Sequence, residues 1–229
     1  GGSTTGSYFA RRCAEKGFRV LIIEKSKRDK ISPDYDIFHM DKADLKGFGL
    51  PEPAEGAAEF EFEDGTAFSA FGNYPKPSKY RIVGMHKHAY ILQLNDWAKE
   101  AGAEIIYEAS FTDFTYDENI RINGITYSDK DGKTVSVGCR LAADCSGIPS
   151  AARRALPDGY GVENFEIMPK DLFYVTLRYI KFADEQPLWR HSDSWLFYKS
   201  WISPSDKGSD AILGIGGSFG FDYVEKMFD

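Results

Sequence analysis

No stretch of the chain approaches the roughly 20 consecutive apolar residues that span a bilayer, and no charged start leading into a short apolar run marks a secretory signal. An integral membrane segment is therefore not expected. Cysteine is scarce: Cys13, Cys139 and Cys145 are an odd number without metal-ligand spacing, which suits a reducing cytoplasm and three small buried hydrophobes. Positive charge is in deficit, with 28 Lys and Arg against 35 Asp and Glu. The net charge of -7 argues against nucleic acid or an anionic membrane surface as the main partner. Internal repeats and low-complexity tracts are also lacking. No metal centre is expected, because His86 and His88 diverge on a helix with no carboxylate or cysteine in register.

What is present suffices for one substantial core or two modest ones: 229 residues, 42% hydrophobic. Aromatic residues make up 15%, which suits β-rich surfaces and a pocket for a flat or apolar small molecule, although most such rings serve the core.

The informative stretch is the first one. Gly1, Ser3 and Gly6 stand at the spacing of a G-x-G-x-x-G turn, with serine at the middle position. Glycines there let the chain turn tightly and bring backbone N–H groups against a pyrophosphate at the positive end of a helix starting near Thr5. Ala10 and Ala14 give that helix a thin face, Gly17 ends it, and Val20 to Ile23 form a short apolar strand. Glu24 closes the strand 18 residues after Gly6, where an acid can accept from an adenosine ribose, and Lys25 follows it. Close phosphate approach past Ser3 is hindered by one small side chain.

Downstream, residues 25 to 53 read as loop with a short helix at most. Residues 58 to 71 alternate Phe and Glu around Asp64-Gly65, a hairpin signal whose Glu59, Glu61 and Glu63 form a wet face. A helix is expected over 86–102 and a strand over 103–107. Three strands at 111–116, 120–127 and 134–137 make a meander. A further strand at 140–144 should run into a short helix capped by Ser150. The rest is β, at 172–182, 194–202 and 211–217, with a closing helix within 218–227.

Taken in order, the N-terminal unit, the 86–102 helix, the meander and Asp144-Cys-Ser-Gly147-Ile-Pro-Ser150-Ala-Ala-Arg153-Arg154 resemble the FAD-dependent superfamily of p-hydroxybenzoate hydroxylase. The form Asp-x-Ser-Gly is most similar to geranylgeranyl-reductase-like and halogenase-like members. Tyr198-Lys-Ser-Trp201-Ile-Ser-Pro204 is similar to the aromatic segment those reductases place beside substrate and flavin, while Lys199 and Ser203 disfavour a halogenase. The resemblance implies an α/β fold, α+β overall: a Rossmann-like FAD-binding domain with a β-meander (1–53 and 81–164) and a mostly antiparallel β substrate domain (54–80 and 165–229).

It further implies an FAD-dependent oxidoreductase working on an apolar or aromatic small molecule, with NAD(P)H as a candidate electron donor. A flavin-dependent monooxygenase, or a non-catalytic protein keeping the scaffold, is the alternative. By the same resemblance, cofactor contacts fall to Gly1, Ser3, Thr5, Gly6, Glu24, Lys25, Lys87, Asp144 and Gly147, and a substrate pocket to Tyr198 and Trp201. Lys87 stands where family members often carry Arg. No residue identifies itself as a catalytic acid or base. The third family motif, a Gly-Asp near the flavin pyrophosphate, is absent, so the chain reads as the first two thirds of a family member.

Overall fold

The computed structural model describes residues 1–32, 37–69, 71–148, 150–163, 166–184, 191–195, 199–205 and 209–229. The first part of the chain forms α1 (Thr4–Ala14), β1 (Leu21–Ile23), β2 (Ile37–Asp41), α2 (Lys42–Phe48), β3 (Ala58–Phe68), β4 (Lys76–His86), α3 (Lys87–Glu100) and β5 (Glu104–Ile106). After these come β6 (Ser110–Tyr116), β7 (Ile122–Ser128), β8 (Thr134–Gly138), α4 (Ala151–Arg154), β9 (Tyr174–Ile180), β10 (His191–Trp195), β11 (Ser200–Pro204), β12 (Ala211–Gly217) and α5 (Phe221–Glu225).

The chain divides into two compact units, one of residues 1–36 with 87–165, the other of 37–86 with 166–229. The first boundary lies at 37, not at the expected 53, because β2 pairs antiparallel with β4, from Ile37 opposite His86 to Asp41 opposite Ile82. Residues 81–86 likewise belong to the second unit, as the end of β4.

In the first unit β1 and β5 run parallel, Ile22 opposite Ile105, and α1 and α3 pack over them. The interlayer contact sets small side chains, Ala10 and Ala14 of α1, Ala98 of α3 and Ala103, around Ile22 of β1. Such a thin layer lets helix backbones lie close to the strands. Gly17, with φ 80, and Gly102, with φ 98, take the left-handed conformation that ends each helix. β6, β7 and β8 form the expected antiparallel meander. The strand expected at 140–144 is not formed. Residues 140–144 pair with neither β1 nor β5, so the parallel sheet of the first unit stays two-stranded among the described residues.

The second unit is one seven-stranded sheet in the order β2-β4-β3-β10-β11-β12-β9, antiparallel except where β10 runs parallel to β3. Phe60, Phe62 and Ile212 are its buried apolar centre, joined by Ile82 and Leu177, and each large side chain buried there contributes about 2 kcal/mol. The hairpin expected at Asp64-Gly65 is displaced. β3 continues through those residues, which pair with Lys79 and Ser78, and an irregularity between Phe62 and Asp64 absorbs the break in alternation. The chain reverses after Ser69, whose hydroxyl donates to the Asn73 carbonyl, and Gly72, with φ 74, supplies the left-handed residue. The single strand expected at 194–202 is instead two antiparallel strands, β10 and β11, with Trp195 opposite Ser200.

Rings lie on glycines in this sheet. A β-carbon on Gly84, Gly214 or Gly216 would come under 3.0 Å from the ring of Phe60, Trp201 or Phe173 respectively. No helix among the described residues is long and apolar enough to cross a membrane.

Candidate functional site

The N-terminal turn is built by exclusion of side chains. Residue 6 has no room for a β-carbon, because the Gly1 carbonyl occupies the place, and a β-carbon on Gly1 would press on the Cys145 carbonyl. The turn thus packs against both α1 and the loop after Cys145, and the two glycine-bearing motifs meet: the β-carbon of Cys145 lies 3.4 Å from where one on residue 6 would stand. Gly2, by contrast, faces Glu24, Ile31 and Ile22 at ordinary van der Waals distances.

Buried polar groups fix the turn. Glu24 is 6% exposed at the end of β1. Its Oε2 accepts from the Gly2 N–H at 2.7 Å and its Oε1 from the Ser26 N–H at 2.8 Å. The Gly2 carbonyl accepts from the Ser7 hydroxyl at 3.1 Å and from Asn95 Nδ2 at 2.5 Å. Asn95 Nδ2 also donates to Ser7 Oγ at 2.8 Å, and Asn95 Oδ1 accepts from the Tyr107 hydroxyl at 2.7 Å. Burial pushes the Tyr107 hydroxyl's pKa up and keeps it a donor.

Ser3 is the N-cap of α1 with extended backbone, and its side chain makes no capping bond. The first turn holds no acidic residue. The N–H groups that open any helix lack partners within it and favour an anion. Thr5 is exposed in this first turn and Gly6 buried.

Asp144 organises the second motif. Its Oδ1 accepts from the Ser146 N–H at 2.9 Å and hydroxyl at 2.6 Å; its Oδ2 accepts from the Ser150 hydroxyl at 2.6 Å and the Arg153 N–H at 3.1 Å. A carboxylate has about four acceptor positions, so the loop's own donors take those expected for a ribose or ribityl hydroxyl. Burial alone would raise the Asp144 pKa, but the bonds from Ser146, Ser150 and the backbone hold it down to about 2. The cap of α4 also differs from expectation. Ser150, left-handed at φ 40, turns its hydroxyl to Asp144, and the carboxylate reaches the Arg153 N–H in its place. Gly147 is left-handed at φ 81, so its lack of a side chain serves the loop's conformation directly.

Gly1, Gly6, Glu24 and the loop from Asp144 to Gly147 are therefore gathered in one unit. Lys25 is exposed just beyond β1, and Lys87 is half-buried at the start of α3. Tyr198 lies outside the described residues. Trp201 is half-buried on β11, across Gly214. Sequence reasoning missed Ser7, Asn95, Tyr107 and Ser146. The signal for Asn95 was a polar residue in register with Tyr90, Ile91, Leu94 and Ala98, the buried face of α3.

The second unit carries a titratable cluster around His191. His191 Nδ1 lies 2.5 Å from Asp64 Oδ1, and Nε2 lies 2.7 Å from Asp193 Oδ1. Burial would lower the imidazole pKa, but the two carboxylates outweigh it and raise the value. Among the described residues no group of His, Cys, Asp and Glu is arranged to hold a metal ion.

No protein-family model matches the chain, and no curated protein matches it in sequence. Solved structures do match in fold. A geranylgeranyl bacteriochlorophyll reductase-like protein from Thermoplasma acidophilum is 18% identical, with a TM-score of 0.76 over 99% of this chain and 58% of that one. A myxobacterial chondrochloren halogenase, a variant of the FAD-dependent halogenases, is 17% identical at a TM-score of 0.72, over 100% of this chain and 53% of that one. A probable FAD-dependent monooxygenase from Pseudomonas aeruginosa is 15% identical at 0.69, over 99% and 60%. This chain has the α/β fold those structures share, and it spans somewhat more than half of their lengths.

Proposed function

We propose that the chain is the cofactor-binding portion, with part of the substrate-binding portion, of an FAD-dependent oxidoreductase resembling the geranylgeranyl reductases. One observation carries this reading: a glycine turn with no room for side chains at Gly1 and Gly6, pinned by the buried Glu24 and opening onto the N-terminus of α1. A turn whose glycines let the backbone close on itself, beside helix N–H groups that no carbonyl within the helix takes and with no acid in the first turn, fits a diphosphate. The fold shared with FAD-dependent proteins supports the choice of ligand.

In this reading Gly1, Ser3, Thr5 and Gly6 hold the diphosphate. Glu24 accepts from the adenosine ribose through the lone pairs its backbone donors leave. Lys25 and Lys87 supply positive charge. Asp144 acts through the loop it orders, which sets Gly147. Bound FAD supplies the redox chemistry, and the protein supplies position and shelter from water. Trp201 and Tyr198 are proposed to line the pocket for an apolar or aromatic small molecule, with NAD(P)H as electron donor.

Titration with FAD, followed by absorbance near about 375 and 450 nm, tests the reading: saturable perturbation of the flavin bands supports it, and no change at any FAD concentration removes it. The neighbour from Pseudomonas aeruginosa supports a monooxygenase as second reading. NADPH oxidation that strictly requires oxygen favours it over a reductase.

A further inference from the structure

We propose that Asn95, far from the glycine turn in sequence, is a positioning residue for the diphosphate: it sets the direction of the Ser3 N–H. The inference rests on the FAD reading above. Asn95 is 0% exposed on a face of α3 otherwise formed by Tyr90, Ile91, Leu94 and Ala98. A primary amide in such surroundings is costly unless its hydrogen bonds are made, and here Nδ2 donates to the Gly2 carbonyl and to Ser7 Oγ while Oδ1 accepts from the Tyr107 hydroxyl. Asn95 Nδ2 and Ser7 Oγ both donate to the Gly2 carbonyl, and Glu24 takes the Gly2 N–H.

The peptide between Gly2 and Ser3 is planar and trans, so its C=O and N–H point in opposite directions. Drawing the Gly2 carbonyl inward, onto α3, turns the Ser3 N–H away from the core, toward the side where the first N–H groups of α1 are open. Ser3 does not cap the helix with its own side chain. Its amide is thereby aligned with those of Thr4, Thr5 and Gly6 as a donor to an anion. The Tyr107 hydroxyl, bonded to Asn95 Oδ1, fixes which way the amide faces. Asn95 acts on the turn twice, directly through the Gly2 carbonyl and by way of Ser7 on α1, whose hydroxyl donates to that same carbonyl.

The decisive variant is Asn95→Asp, nearly identical in shape. Protonated, the introduced carboxyl can still donate to the Gly2 carbonyl; ionised, it opposes that oxygen and the peptide must turn. The full-length chain is titrated with FAD by flavin fluorescence between about pH 5 and pH 9, the range into which burial lifts a carboxyl. Glu24, Tyr107 and Cys145, titratable groups around the turn and its network, are the same in both proteins, so the comparison isolates residue 95. Wild-type affinity should be nearly level. The variant should bind within about threefold of wild type at the acid end and about tenfold or more weakly at the alkaline end. Without ligand, the Ser3 amide resonance should shift with the same midpoint.

Wild-type-like binding across the range, with an unmoved Ser3 amide, overturns the role of Asn95 and leaves the FAD reading standing. Failure of the wild type itself to bind FAD overturns both. If Asn95→Asp does not fold, Tyr107→Phe decides. Its far-ultraviolet dichroism should match wild type while FAD affinity drops about threefold or more; unchanged affinity there overturns the proposal equally.

Discussion

The carbonyl oxygen of Gly1 occupies the space that a β-carbon on residue 6 would need, so the first and last glycines of the turn are two halves of one contact. Gly6→Ala must push the turn open. The gain in helix propensity, about 1 kcal/mol, does not offset a displaced backbone, and a net loss of about 1–3 kcal/mol is expected. FAD binding should fall with it. Gly2→Ala meets only ordinary contacts at 3.5 Å and beyond, and should cost less than about 1 kcal/mol. Thermal unfolding and flavin titration of the two variants side by side check the contrast; equal effects would contradict it.

Glu24→Ala removes the acceptor for the buried Gly2 N–H. An unsatisfied buried donor costs about 1–3 kcal/mol, so this variant should melt lower than wild type even without flavin, and its FAD affinity should fall as well. A melting temperature unchanged in the absence of flavin would show that the carboxylate does not hold the turn.

Asp144 gives a dependence on acid. Its folded pKa, about 2, lies below the unfolded value near about 3.9. Its stabilisation is therefore full above the unfolded value and is lost as pH falls from there toward 2. The carboxyl is exposed, and solvent screening limits its share to less than about 1 kcal/mol. In urea unfolding, the stability difference between wild type and Asp144→Asn should shrink from pH 5 toward pH 2; a difference constant with pH would refute the assignment.

His191 behaves in the opposite sense. Its pKa is raised between Asp64 and Asp193, so its stabilising effect is complete below the unfolded value near about 6.5 and disappears as pH climbs through the folded one. The imidazole proton resonance of His191 should titrate above that of a free histidine. Asp64→Asn should move its midpoint down.

Trp201→Ala should lower turnover of an apolar substrate while flavin content stays constant, if the proposed pocket is right. A normal turnover, or loss of flavin along with activity, would return Trp201 to a packing role on Gly214.

What the sequence disclosed and what it concealed divide along the length of the interactions. α1, α3 and β12 were legible because period, caps and apolar runs are local signals, and so was the meander with its Asp-rich turns. The pairing of β2 with β4 was not, since a ladder depends on a partner that propensity does not name. Asp64-Gly65 looked like a turn because its composition suits one, yet cross-strand bonds to Lys79 and Ser78 keep it extended. At the site, the glycines and Glu24 announced themselves. Asn95 did not, because its acceptor is 93 residues away and nothing nearby in sequence marks the pair.

The rings laid on Gly84, Gly214 and Gly216 have a consequence for how this sheet can change over time. A side chain added at 214 and the indole at 201 exclude each other, so neither position drifts alone. Divergent members of this lineage are expected to exchange such residues in pairs, gaining a β-carbon on one strand as they lose a ring from the adjoining one. Gly214→Ala, harmful by itself, should be relieved when Trp201 is made smaller in the same molecule.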